Sequence, residues 1–160
     1  GLSAKLVMRF GNRGPPAFGL LLAAAGLALF ARAPVDGSFL LDVMPGMTLL
    51  GLGAGIALNP MLLVAMSDVA PSESGLASGI VNTSFMMGGA LGLAVLASLA
   101  SARTDRLTAS GAQALAALNG GYHMAFVVGA VFAAAAGLLG VLLLRSASPS
   151  RSAEEEPARA

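Results

Sequence analysis

Residues 74–102 read SGLASGIVNTSFMMGGALGLAVLASLASA, without a charged side chain between Glu73 and Arg103. A hydrocarbon core about 30 Å thick is crossed by roughly 20 mostly apolar residues in a helix, so this interval is long enough to span a bilayer. Barrel strands would alternate polar and apolar residues, and the run does not. Within lipid a lone segment must satisfy its own backbone donors and acceptors, which selects the α-helix. The polar residues it carries are small ones, Ser, Thr and Asn, set among five glycines.

Three neighbouring intervals have the same character. Gly14 to Ala31 lies between Arg13 and Arg32, with Pro15 and Pro16 suited to a helix start. Asp36 and Asp68 bound another, interrupted only by Asp42. The interval between Arg106 and Arg145 is too long for one helix. Asn119-Gly120-Gly121 reads as a breaker, so the crossing begins near Tyr122 and Leu107 to Leu118 forms an extramembrane loop, either irregular or holding a short helix. The expected fold is an all-α, polytopic membrane helical bundle. Four transmembrane helices at about 15–31, 39–66, 76–100 and 122–144 follow a loop over 1–14 and precede a disordered tail over 146–160.

Composition points the same way. Of 160 residues, 56% are hydrophobic and only 11% charged, against about a quarter charged in a soluble domain. A formal charge of +1 cannot form the basic face that nucleic-acid binding requires. The absence of cysteine removes disulfides, thiolate nucleophiles and Cys-type zinc sites. No second histidine or carboxylate stands at ligand spacing from His123, so neither a metal nor a cofactor is expected.

Four crossings place both ends of the segment on one side of the cell membrane. Lys5, Arg9, Arg13, Arg145, Arg151 and Arg159 lie there, and Arg32, Arg103 and Arg106 lie opposite. The positive-inside rule makes the first side cytoplasmic. The N-terminal cations, the following apolar run and Ala31-Arg32-Ala33 also imitate a secretory signal. Paired prolines in the apolar run and a start at Gly1 argue against that, and Gly1 leads us to expect a piece of a longer polypeptide.

Small residues mark where membrane helices touch. The pairs Gly51/Gly55, Gly75/Gly79 and Gly88/Gly92 have GxxxG spacing and are the expected packing positions, by static contact or as sliding faces. Polar groups in the membrane are costly and become functional candidates. Asn59 precedes Pro60 and either caps the kink or faces a substrate pathway. Asn82, with Thr83, joins helices or lines a cavity. Met86, beside Phe85 and Met87, offers an adaptable apolar contact. Asp42 is a carboxylate in an apolar stretch, an interfacial residue or a proton-coupling candidate. Tyr122 and His123 read as an interfacial anchor, and no nucleophile–base set marks an enzyme.

Several of these residues also form a pattern. Pro71, Glu73, Gly75, Ala77, Ser78, Gly79, Asn82, Thr83, Gly88, Gly89, Ala90, Leu91 and Gly92 resemble the penultimate-helix region of the Major Facilitator Superfamily in its fourteen-helix drug:proton antiporter branch. Residues 50–60, LGLGAGIALNP, are similar to the preceding glycine-rich helix. Residues 8–13, MRFGNR, look like a degenerate cytoplasmic loop of that family, with Arg9, Gly11 and Arg13 in place and Met8 where an acid is expected. Phe85-Met86 stands where many members carry Arg-Gln. The resemblance implies the last four helices of a drug-efflux antiporter working by alternating access. Its implied partners are the missing N-terminal helices of the same polypeptide, the lipid bilayer, a small hydrophobic or cationic solute, and protons. The alternatives are a facilitator for another solute, or a self-contained four-helix scaffold.

Overall fold

The computed structural model describes residues 14–143 apart from Asp68. The expected loop up to residue 13, with its Arg9-Gly11-Arg13 remnant, and the expected tail over 146–160 lie outside the described residues. Four α-helices follow in order: α1 (Gly14–Phe30), α2 (Met44–Met66), α3 (Ser74–Ala109) and α4 (Ala114–Leu143). A π-turn, Phe39–Val43, leads into α2, and a 3-10 turn, Pro71–Glu73, leads into α3. Among the described residues there is no strand.

Three of these helical stretches, Phe39–Met66, Pro71–Ala109 and Ala114–Gly140, are long and apolar enough to cross a bilayer. At 17 residues α1 spans about 25 Å, the short end of that requirement. Its sequence explains its start. Pro15 and Pro16 sit in the first turn, where a missing N–H leaves no bond unmade.

The entry to α2 is built by side chains. Ser38 Oγ accepts the Leu41 N–H at 3.3 Å, and the Asp42 carboxylate accepts the Ser38 N–H at 2.8 Å. These reciprocal bonds satisfy donors that the start of a helix leaves free. Pro45 lacks an N–H, and the widened turn ends just ahead of it.

Helix contacts run α2 to α1, α1 to α4, and α4 to α3, while α2 and α3 touch little. The pairings are antiparallel throughout. Gly19 meets Gly53 and Gly26 meets Gly46; Gly137 meets Ala17 and Gly129 meets Leu27; Gly121 meets Ala100 and Gly129 meets Leu96. A Cβ on Gly53 would lie 2.5 Å from the Gly19 carbonyl oxygen, and one on Gly19 would lie 2.6 Å from the Gly53 oxygen. Backbone therefore lies on backbone here. In lipid such contact replaces the hydrophobic drive that water would provide.

The break expected at Asn119-Gly120-Gly121 is not there: α3 runs to Ala109, α4 begins at Ala114, and those three residues are helical. The reason is packing. A Cβ on Gly121 would collide with Thr104 Oγ1 and lie 2.6 Å from the Ala100 oxygen, so glycine admits a close crossing instead of breaking the helix. The actual turn is at Gly111, whose φ of +88° lies in the region that glycine tolerates.

Candidate functional site: an open stretch of α3

The side chains that the sequence singles out lie mostly where the other described residues leave them exposed. Every residue from Asn82 to Val95 is exposed, a length of about 20 Å of helix. Phe85 is 67% exposed and Met86 66%. Below this stretch contact returns, with Ala100 buried and Leu96, Leu99, Thr104 and Leu107 half-buried. Thus α3 stands clear of its neighbours from Val95 back to Asn82.

At about 3.6 residues per turn, Gly75, Gly79, Asn82, Met86 and Gly89 fall on the side of α3 that Ala100 and Thr104 turn toward α4. The stripe continues the α4-facing side into a region that α4 does not cover. Asn82 donates to Met86 Sδ at 4.0 Å, a weak contact along its own helix. Thr83 is exposed beside it.

Helix α2 is two-faced in the same way. Gly46, Gly53, Ala57 and Pro60 are buried, and the first three are spaced to lie against α1. Gly51, Gly55 and Asn59, each one turn from the next, occupy the opposite side and are exposed. Asn59 lies about 10 Å along α2 from its end at Met66, and Asn82 about 12 Å along α3 from Ser74. The antiparallel arrangement therefore puts the two asparagines at similar depth, measured from the 67–73 connection.

Among the described residues, nothing lies within 4 Å of where a Cβ would stand on Gly51, Gly55, Gly75, Gly79, Gly88 or Gly92. Among the described residues, then, none of the three GxxxG pairs has a neighbouring helix close against it. The contacts fall to Gly19, Gly26, Gly46, Gly53 and Gly121, which the motif passes over. The signal for the first four was a seven-residue spacing, Gly19/Gly26 facing Gly46/Gly53, equally one-sided on a helix.

The opposite end of the bundle is tied by a polar latch. Asn119 Nδ2 donates to the Ala33 carbonyl at 3.1 Å, and His123 Nε2 lies 2.8 Å from the same oxygen. Because that partner only accepts, Nε2 carries the proton. The two side chains are one turn apart on α4 and together hold the chain just past the end of α1. Phe30 and Phe126 pack with their rings tilted by 35° and their centroids 5.3 Å apart. Asp42, as described, engages the Ser38 N–H at the start of α2, and with Arg32 it lines a small pocket of about 120 Å³.

The sequence pattern of the Major Facilitator Superfamily matches residues 1–93, more than half of the chain. The chain belongs to the Major Facilitator Superfamily. Members of this superfamily are multi-pass membrane transporters of small solutes. The puromycin resistance protein of Streptomyces alboniger is 36% identical over 89% of this chain and 28% of its own length. The cephamycin export protein of Amycolatopsis lactamdurans is 33% identical over 77% of this chain and 24% of its own. The multidrug resistance protein Stp of Mycobacterium tuberculosis is 36% identical over 63% of this chain and 18% of its own. The chain thus spans under a third of the length of these superfamily relatives. No solved structure matches it.

Proposed function

We propose that this chain forms the last four helices of a proton-coupled drug or multidrug efflux antiporter, with the remaining helices supplied by the same polypeptide. The open stretch of α3 from Asn82 to Val95 is the observation that carries the reading. A membrane helix with no covered side over that length, bearing Asn82, Thr83 and Met86 among glycines, is suited to line a cavity completed by other helices. Similarity to proteins named for antibiotic resistance and export supports drugs as the cargo.

In this reading Asn59, Asn82, Thr83 and Met86 border the substrate pathway. The Gly51/Gly55, Gly75/Gly79 and Gly88/Gly92 faces receive the remaining helices, which slide over them as the two halves rock. Few hydrogen-bonding groups border this pathway, which favours an apolar or cationic solute over a sugar. Both ends of the segment are cytoplasmic, and protons entering the cell drive export, with Asp42 the carboxylate of this segment to test for coupling.

The test is drug efflux by the full-length protein in a host lacking its own pumps. Efflux should stop when a protonophore collapses the gradient. Asn82→Leu should change the ratio of resistance between a cationic dye and a neutral antibiotic by about fivefold, the worth of one hydrogen bond. Wild-type resistance to every compound at equal expression would remove Asn82 from the pathway.

A further inference from the structure

Between α3 and α4 lies an open cleft of about 460 Å³ that plays no part in the proposed pathway. Its walls are two matching stripes. Leu99, Arg103 and Arg106 come from successive turns of α3, and His123, Met124 and Val127 from one side of α4. The cleft changes character along its length. Leu99, Met124 and Val127 lie at its end nearer the centre of the apolar stretches, whereas Arg103 and Arg106 follow the last apolar turn of α3 and lie about 5–10 Å beyond Ala100. That is the depth of lipid headgroups when residues 76–100 fill the hydrocarbon core. Asp105, between the two arginines in sequence, is about 100° or more around the helix from each and does not line the cleft.

We propose that this cleft binds an anionic phospholipid, with the phosphate held by Arg103 and Arg106 and the upper part of an acyl chain against Leu99, Met124 and Val127. Guanidinium groups one turn apart match phosphate oxygens in geometry and charge. The apolar inner end distinguishes a lipid from free phosphate, which would gain nothing from it. His123 Nε2 is engaged with the Ala33 carbonyl, so the ring serves as a wall and the arginines supply the charge. A lipid seated here would brace the crossing at Gly121 and the adjoining latch from the membrane side.

The test is native mass spectrometry of the full-length protein released from nanodiscs of equal phosphatidylglycerol and phosphatidylcholine. Wild type should retain phosphatidylglycerol preferentially. Arg103→Gln with Arg106→Gln should lower that preference about 25-fold, at roughly fivefold for each cation near a membrane surface. Each single variant should give a partial loss, which guards against misfolding of the pair. Arg32→Gln, a cation outside the cleft, should leave the preference unchanged. A wild type without preference, or an equal loss in Arg32→Gln, overturns the proposal. So does full displacement of the lipid by millimolar inorganic phosphate, which would mark a simple anion site.

Discussion

At Gly53 a hydrogen stands where any other residue would place a carbon 2.5 Å from a backbone oxygen and 2.6 Å from the Ala23 nitrogen. Backbone cannot swing aside as a side-chain tip does, so α1 and α2 would have to separate. Gly53→Val is expected to cost about 2–3 kcal/mol, the upper part of the range for overpacked sites. A melting temperature of the purified full-length protein equal to wild type would refute the contact. Asp42 poses a different question. Its carboxylate already has a structural task at the Ser38 N–H, worth about 1 kcal/mol by analogy with helix caps. Asp42→Asn should therefore lower stability slightly. If proton-driven efflux keeps its wild-type pH dependence in that variant, the cap is the whole role of Asp42. A shifted dependence would assign it to coupling. Glycines such as Gly53 were visible in the sequence, but which of them touch was not. A GxxxG pair and a seven-residue glycine pair are equally one-sided, and only the partner's position separates them.

At the scale of elements, the latch and the open stretch are two ends of one arrangement. Asn119 and His123 hold the Ala33 carbonyl just past the end of α1, and α3 joins α4 at Gly121 close by. From Leu96 back toward Ser74, α3 loses that company. Removing both donors by Asn119→Leu with His123→Phe leaves a carbonyl without partners, at about 1–3 kcal/mol. Hydrogen exchange of the amides around residues 31–37 is expected to speed up at least several-fold, while amides in the middle of α4 keep their protection. Uniform protection in the double variant would show that packing of Phe30 on Phe126 suffices. The sequence suggested an anchor at Tyr122-His123 and a break at Asn119-Gly120-Gly121. It could not reveal that Asn119 reaches across 86 positions to Ala33, because such a bond depends on the placement of α1 beside α4.

For the whole molecule, the alternating order α2, α1, α4, α3 puts the 67–73 connection on one side of the bundle and the 110–113 turn on the other. The proposed orientation makes the first cytoplasmic and the second external. In a cysteine-free background of the full-length protein, Ser110→Cys should react with an impermeant maleimide added to intact cells, and Ser72→Cys only after lysis. The reverse pattern would invert the topology and leave the helix packing untouched. The sequence alone determined that the chain is helical and crosses a membrane. Long charge-free runs leave a backbone in lipid no other way to satisfy its hydrogen bonds. It also carried the family resemblance, in residues whose spacing is readable without coordinates. Only the tertiary structure decided which glycine faces are used within the chain, that Gly121 admits a crossing, that Asn119 and His123 share one carbonyl, and that α3 stands open from Asn82 to Val95. Those features depend on where one helix lies against another. In these helices nearly every face is apolar and small, so the hydrophobic pattern that orients a helix in water carries almost no such information.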